Sequence, residues 1–155
     1  MTTTMEYHNP VLLHASVDGL NIKPDGIYVD VTFGGGGHSK EILSRLGPNG
    51  KLFAFDQDED ALAHALQDER FTLINENFRF IKRFLRFYGV KSVDGILADL
   101  GVSSHQFDVA ERGFSTRFDA DLDMRMSQKN DLNAYRVVNE YDELNLKRVF
   151  LDYGE

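Results

Sequence analysis

The sequence contains no cysteine, and this absence excludes several kinds of chemistry. Disulfides, thiolate zinc sites and a cysteine nucleophile all need the thiol that the chain lacks. No apolar run approaches the ~20 residues that a membrane-spanning helix needs. The opening residues, MTTTMEYHNP, also lack the basic region and apolar core of a secretory signal. These absences predict a cytoplasmic protein with no membrane partner.

An excess of positive charge is also missing. The 155 residues include 25 acidic and 17 basic side chains, which give a net charge of −8. Nucleic-acid-binding proteins usually have the opposite balance. The hydrophobic content of 42% is sufficient for the core of one ordinary domain. Any contact with nucleic acid must therefore come from a local basic cluster.

The nearest thing to such a cluster occupies residues 79–88. Its cationic members are Arg79, Lys82, Arg83 and Arg86. Its apolar members at helical spacing are Ile81, Phe84, Leu85 and Tyr88. This spacing predicts a helix with one face packed in the core and a solvated basic face. RNA contact through the basic face is the alternative interpretation.

The most informative stretch is IYVDVTFGGGGHSK, residues 27–40. It begins with an apolar run of strand length and continues, after a turn, into apolar residues at helical spacing. The turn consists of four glycines, Gly34, Gly35, Gly36 and Gly37. Without Cβ atoms, its backbone can adopt positive φ and approach a ligand closely. The helix that starts at His38 offers N–H groups to an anion, although a turn without a ligand is the simpler alternative.

Strand and helix patterns alternate through the first hundred residues. The predicted strands are residues 27–31, 51–56, 71–74 and 94–100. The predicted helices that connect them start at residue 38, start at residue 58 and cover residues 79–88. This alternation is typical of an α/β fold, in which a parallel sheet is covered on both faces by right-handed crossovers.

Each predicted strand delivers a polar or aromatic residue to the same edge. In an open α/β sheet, ligands bind outside the carboxyl ends of the strands. The residues near these ends are Asp30, Asp56, Phe78 and Asp99. Asp56 stands 19 residues after Gly37, close to the spacing at which an acid binds the ribose hydroxyls of a cofactor. Asp58 is the better candidate for the cap of the next helix.

Nicotinamide cofactors and S-adenosylmethionine both contain a ribose that fits this geometry. A G-x-G-x-x-G dinucleotide motif counted from Gly34 requires a third glycine where this chain has Ser39. This difference weakens the interpretation as a nicotinamide-dependent oxidoreductase and leaves it open. Backbone N–H donors and an acid-rich edge suit the carboxylate, amine and ribose of S-adenosylmethionine.

Five motifs follow one another along the chain. They are HNPVLL, TFGGGGHS, DLGVSSHQFD, ERGFS and LDMRM. In this order they resemble the MraW family of small-subunit ribosomal RNA methyltransferases. The resemblance implies a Rossmann-like class I methyltransferase fold and S-adenosylmethionine as cofactor. It also implies methylation of the N4 amine of a cytidine in small-subunit (16S) ribosomal RNA, with that RNA or the small ribosomal subunit as partner.

The resemblance also implies the residues of the site. The residues that it places at the cofactor are Gly36, Gly37, His38, Asp56, Phe78, Asp99 and Gln106, with Asp56 at the ribose and Phe78 at the adenine. Asp99 is in addition the candidate catalytic residue, as a hydrogen-bond acceptor for the cytosine amine. Its context, DLGV, lacks the two prolines that follow the acceptor in many amino methyltransferases, which favours a role in cofactor binding. The histidines have no metal-ligand spacing, so no metal site is predicted.

Two departures from the family pattern concern the loop. His105 replaces the usual proline, and the segment STRFDAD lacks a glycine-proline step. Residues 101–130 are otherwise polar, and a loop of this length is usually functional. Two helical patterns follow this loop, at residues 132–138 and 143–152.

The family is longer than this chain, which sets the expected domain boundaries. We expect residues 1–100 to be the N-terminal part of the cofactor-binding domain, residues 101–130 an active-site loop, and residues 131–155 the start of an inserted helical substrate-recognition domain. The resemblance also implies the strand order 3-2-1-4 for these four strands, which leaves strand four, GILADL, as an open edge. We expect self-association through this edge and weak or no activity of the chain alone. The alternatives are an oxidoreductase domain and a cofactor-binding module without catalysis.

Overall fold

The computed structural model describes residues 10–154, so His8 and Asn9 of the HNPVLL motif lie outside the described residues. The chain forms two compact units, the first ending at Gly101 and the second beginning at Val102. Each unit is described here in turn.

The first unit contains a four-stranded parallel sheet in the order β3-β2-β1-β4. Its strands are β1 (Ile27–Asp30), β2 (Lys51–Phe55), β3 (Phe71–Ile74) and β4 (Gly95–Leu97). Its helices are α1 (Leu13–Gly19), α2 (Gly37–Arg45) and α3 (Ile81–Phe87), with 3₁₀ helices at Glu59–His64 and Phe78–Phe80. The predicted α/β class and the strand order 3-2-1-4 are confirmed.

Apolar residues pack on both faces of this sheet. On one face, Tyr28 and Leu52 are fully buried with Val17 of α1 and Ile42 of α2. On the other face, the alternate strand residues form a second cluster, Val29, Val31, Phe53, Phe55 and Ile74. Ile81, Phe84 and Leu85 of α3 pack against that cluster, which confirms the predicted core-facing side of this helix. Burial on both faces is typical of a parallel sheet.

The connection after β2 differs from its prediction as an α-helix. It is a 3₁₀ helix, capped by Asp58, whose carboxylate accepts a hydrogen bond from the Asp60 N–H at 3.1 Å. With three residues per turn, its apolar residues do not form one inward face. Ala61 is buried, whereas Leu62 and Ala65 are exposed. The sequence pattern predicts an α-helix with Ala61, Leu62, Ala65 and Leu66 on its inner face. The inward positions of Leu62 and Ala65 are therefore wrong, and the predicted cap at Asp58 is confirmed.

Strand β4 is shorter than the predicted residues 94–100. Its partner β1 ends at Asp30, which pairs with Leu97. Beyond Leu97 there is no strand beside it on that side, so residues 98–100 leave the sheet and are exposed. The predicted extension to Leu100 is wrong for this reason.

The second unit contains α4 (Ser104–Asp108), α5 (Ala134–Glu140) and α6 (Glu143–Tyr153), with a 3₁₀ helix at Ala110–Arg112. Helix α4 falls inside the predicted loop, because Ser103 and Gln106 form a capping box at its start. The buried side chains within residues 102–154 are polar, namely Gln106, Arg112 and Ser127. This unit is therefore organised by hydrogen bonds, without a buried apolar cluster among its described residues.

No helix within residues 10–154 has the length and apolar composition needed to cross a bilayer.

The open edge of β4 allows a test of the predicted self-association. Ile96 of this strand is 51% exposed, and an apolar edge strand can pair with another chain. We expect concentration-dependent association in sedimentation velocity, reduced by Ile96→Lys, because a lysine on an edge strand opposes pairing. Leu62→Lys, on an exposed site outside the sheet, is the matched control. A chain that is monomeric at every concentration contradicts this expectation.

Candidate functional site

The glycine turn between β1 and α2 has a backbone that requires glycine at two positions. Gly34 and Gly36 have φ values of 51° and 77°, in the left-handed region. A Cβ on Gly36 would also meet the Phe33 ring at 2.8 Å, whereas a Cβ on Gly34 would meet nothing within 4 Å. A Cβ on Gly37 would overlap the ring of Pro10. The turn is thus packed against the Phe33 ring at Gly36, whereas the space beside Gly34 is open.

Asp56, directly after β2, connects this turn to the neighbouring strand. One carboxylate oxygen accepts a hydrogen bond from the Gly34 N–H at 2.7 Å, and the other accepts from the Asp58 N–H at 2.9 Å. The side chain is half-buried. Asp56 therefore holds the glycine turn against the carboxyl end of β2.

Asp30, at the end of β1, points into the protein instead of toward the edge. It is fully buried and accepts hydrogen bonds from the Ser39 hydroxyl at 2.7 Å and the Thr32 N–H at 3.1 Å. Burial raises the pKa of its carboxyl above the ordinary value, and the bonds from Ser39 and Thr32 oppose that rise. Asp30 thus fixes the start of α2 below the glycine turn, which corrects its expected place among the edge residues.

His38, the second residue of α2, is buried, and its Nε2 atom has no hydrogen-bond partner among the described residues. Buried polar atoms are normally paired, because an unpaired one costs about 1–3 kcal/mol. The glycine before the helix also supplies no side-chain cap. The start of α2 therefore has hydrogen-bonding capacity that a ligand could use.

Phe78 follows β3 and is 42% exposed. The turn that carries it is capped by Asn77, which accepts a hydrogen bond from the Arg79 N–H at 2.9 Å. The Asn77 amide also donates to the Gln57 side chain at 2.8 Å, which ties this turn to the residues after β2. The Phe78 ring is therefore an accessible apolar surface on a well-anchored turn.

Asp99 lies two residues beyond β4 and is exposed. Its N–H donates to the Thr32 hydroxyl at 2.8 Å, which joins the end of β4 to the end of β1. Thr32 was not singled out in the sequence, although its position directly after a strand was a usable signal. The first unit thus gathers the glycine turn, Asp56, Phe78 and Asp99 at the carboxyl ends of its strands.

Gln106, the remaining predicted cofactor residue, belongs to the second unit. Its side-chain oxygen accepts a hydrogen bond from the Ser103 N–H at 3.1 Å, as part of the cap of α4. Its glutamine side chain is buried.

Two arginines that the second unit depends on belong to the ERGFS and LDMRM motifs. Arg112 is buried and donates to the backbone oxygens of Arg125 and Met126, both at 3.0 Å. Arg125 forms a bidentate pair with Asp123 at 2.8 and 2.7 Å, and this pair lowers the pKa of the Asp123 carboxyl. Arg125 is therefore a loop anchor. Arg112 was not identified from the sequence as a structural residue, because no sequence pattern marks an arginine as buried.

Among residues 10–154, no group of three or more histidine, aspartate or glutamate side chains is arranged to hold a metal ion.

A four-stranded parallel sheet with a glycine turn after its first strand and an acid after its second is typical of Rossmann-like α/β folds. Residues 5–155 match the model of the MraW methylase family, and the chain belongs to that family. The family resemblance and the Rossmann-like fold predicted from the motifs are confirmed.

The chain is similar to curated proteins named ribosomal RNA small subunit methyltransferase H. It is 90% identical to that of Flavobacterium johnsoniae over 155 residues, which cover 100% of this chain and 51% of the relative. It is 72% identical to that of Christiangramia forsetii over 155 residues, again 100% and 51% of the two chains. The chain spans about half the length of the curated relatives it matches.

The two left-handed glycines allow a matched test of the turn. We expect Gly36→Ala to lower the free energy of unfolding by roughly 2–4 kcal/mol, because backbone strain and overlap with Phe33 add together. Gly34→Ala, with open space beside its Cβ, should cost about 1–2 kcal/mol from backbone strain alone. Urea unfolding of both variants measures the difference. Equal losses would contradict the packing described at Gly36.

The buried Asp30 carboxyl predicts a pH-dependent contribution to stability. Because its pKa is raised in the folded protein, the folded state holds this proton where the unfolded chain has released it, and stability falls as pH rises through that range. Asp30→Asn removes the titration while keeping the shape. Urea unfolding between about pH 4 and about pH 8 should show the variant gaining stability relative to the parent chain as pH rises. A stability difference that does not change with pH contradicts this expectation.

Proposed function

We propose that this chain forms the cofactor-binding part of an S-adenosylmethionine-dependent methyltransferase that acts on the N4 amine of a cytidine in small-subunit (16S) ribosomal RNA. Membership of the MraW methylase family and relatives named as small-subunit ribosomal RNA methyltransferases support it. The observation that carries the proposal is the hydrogen bond from the Gly34 N–H to Asp56 at 2.7 Å. This hydrogen bond places the accessible backbone of the glycine turn beside Asp56, an acid at the spacing that is typical of ribose binding.

The residues at this edge suit the parts of S-adenosylmethionine. A carboxylate has about four acceptor positions, so Asp56 can bind backbone N–H groups and also accept from ribose hydroxyls. The exposed Phe78 ring offers a face to the adenine. The start of α2 and the Nε2 atom of His38 suit the carboxylate of the methionine part. The turn beside Gly34 leaves room for close approach of the ligand.

When bound, S-adenosylmethionine supplies an electrophilic methyl group. The amine of cytosine is a poor nucleophile, because its lone pair is delocalised into the ring. The protein must therefore orient the amine, accept a hydrogen bond from it and exclude water. We assign Asp99 to cofactor binding first, because it lies on the same edge as Asp56 and Phe78.

We propose the same division of the chain as the sequence predicts. Residues 1–100 bind the cofactor, residues 101–130 form the active-site loop and residues 131–155 begin a helical substrate-recognition insertion. The boundary between the two compact units at Gly101 supports the first division. The family match removes the support for the oxidoreductase alternative.

Calorimetric titration tests the cofactor assignment. We expect the chain to bind S-adenosylmethionine at one site and to give no heat of binding with NAD. Phe78→Ala should weaken S-adenosylmethionine binding about tenfold, because loss of one ring contact costs roughly 1–1.5 kcal/mol. Phe150→Ala, at an exposed position of α6, is the matched control.

A methyl-transfer assay separates an enzyme from a binding module. It supplies small ribosomal subunits that lack the modification and a tritiated methyl donor. Label in the N4-methylcytidine of the digested RNA is the expected product for the complete enzyme. Binding of NAD in place of S-adenosylmethionine, or label on another nucleotide only, would contradict the proposal.

A further inference from the structure

The helix after β3 carries an unusual concentration of positive charge for this acidic chain. Between Glu76 and Asp94 the sequence contains five cationic residues and no acidic one, whereas the chain as a whole has a net charge of −8. The five are Arg79, Lys82, Arg83, Arg86 and Lys91. The rest of the chain is correspondingly more acidic, so this segment differs in the sign of its charge from its surroundings.

The packing of α3 places these charges on one side. Ile81, Phe84 and Leu85 face the sheet and pack against its core. Lys82, Arg83, Arg86 and Phe87 are exposed. Positions three and four apart are neighbours on a helix, so Lys82 lies beside Arg86, and Arg83 lies beside Phe87. We name Arg79, Lys82, Arg83, Arg86 and Phe87 together the α3 basic face.

The cations of this face differ in their partners from five of the other arginines. Outside it, ion pairs with an acid are formed by Arg45, Arg70, Arg117, Arg125 and Arg136. Within residues 10–154, the structure gives none of the four cations of the α3 basic face an acidic partner. Arg148 and Lys147 of α6 also have no acidic partner there, so the face is distinguished by the four such cations that it brings together within residues 79–86. A cluster of cations without acidic partners can bind an external polyanion.

An exposed aromatic ring accompanies the charges. Phe87 is 80% exposed. Its ring lies edge-on to Tyr88 at a centroid distance of 5.2 Å, and Tyr88 in turn packs on the core residue Phe53 at 5.3 Å. Phe87 is therefore presented to solvent on a fixed support. Aromatic rings beside cations are the usual means of binding unpaired nucleotides, because any base can stack on them.

The position of the face relates it to the proposed cofactor site. The α3 segment begins at the carboxyl edge of the sheet, where Phe78 lies, and Arg79 follows directly with its guanidinium 4.5 Å from the Phe80 ring centroid. A strand of nucleic acid lying along α3 would therefore reach the edge at which Asp56 and Phe78 are gathered. A substrate must reach that edge if the methyl donor binds there.

We propose that the α3 basic face binds unpaired RNA, with its cations on the phosphates and Phe87 stacked on a base. This inference rests on the proposed function, since it assigns a place to the RNA substrate. A membrane surface fits the face less well. An interfacial helix needs a free apolar side to enter the lipid, and the apolar side of α3 is packed against the sheet.

Fluorescence anisotropy with a labelled single-stranded RNA of roughly 20 nucleotides tests the proposal in the 155-residue chain. The variant is the triple substitution Lys82→Gln, Arg83→Gln and Arg86→Gln. Its matched control is Lys51→Gln, Lys147→Gln and Arg148→Gln, which removes the same charge from exposed positions elsewhere. We expect the first triple variant to bind RNA at least tenfold more weakly and the control to bind within about twofold of the parent chain.

The dependence of binding on salt gives a second readout. Each lost phosphate contact on a single strand should lower the slope of log K against log salt by about 0.7, so the triple variant should lose about 2. Phe87→Ala should weaken binding about tenfold with an unchanged slope, because stacking is not ionic. Circular dichroism and calorimetry with S-adenosylmethionine on every variant separate loss of RNA binding from loss of fold or cofactor binding.

Several outcomes would overturn the inference. They are failure of the parent chain to bind RNA, equal weakening by the two triple variants, and tighter binding to phosphatidylserine vesicles than to RNA. If the parent chain does not bind S-adenosylmethionine, the proposed function is overturned instead. The two failures can be told apart because the RNA titration is carried out without cofactor.

Discussion

The hydrogen bond between the Gly34 N–H and the Asp56 carboxylate is the contact on which the proposed site depends. It joins residues 22 positions apart in the sequence, at the ends of β1 and β2. The adjacent bond from the Phe33 N–H to the Phe55 oxygen, at 3.0 Å, continues the pairing of the two strands up to the turn. Without Cβ atoms at Gly34 and Gly36 the chain could not take this path. Backbone conformation, strand pairing and the proposed cofactor site therefore all depend on this one turn.

The support below this turn is polar as well as apolar. Asp30 is buried with Ser39 and Thr32, and Thr32 also receives the N–H of Asp99. Through this set of bonds, the end of β1 positions both the start of α2 and the end of β4. A carboxylate is costly to bury, and here its bonds to a hydroxyl and a backbone N–H offset part of that cost. Hydrogen bonds that involve Asp30, Ser39 and Thr32 thus fix the positions of residues at the carboxyl edge of the sheet.

Each of the two units is stabilised internally by a different kind of interaction. The first unit buries aromatic and aliphatic residues on both faces of its sheet. The second, in its described residues, buries the guanidinium of Arg112 among backbone oxygens and anchors its loop through Arg125 and Asp123. Gly113, beside Arg112, has φ 71°, and a Cβ there would meet the Asp121 oxygen at 2.5 Å. The shape of this loop depends on backbone contacts that tolerate little change.

By itself, the sequence determined the parallel α/β fold and the residues after each strand, because apolar periodicity and glycine spacing depend on local geometry that residues near one another specify. The strand order followed from the family resemblance. The sequence also placed Asp56 and Phe78 at one edge of the sheet, since the carboxyl ends of parallel strands meet there. Only the tertiary structure decided that Asp30 points inward, that β4 ends at Leu97 and that Arg112 is buried. These features depend on contacts between residues that are far apart in the sequence. A strand ends where its neighbouring strand ends, and an arginine is buried where backbone oxygens accept its hydrogen bonds. Local sequence patterns do not specify such contacts.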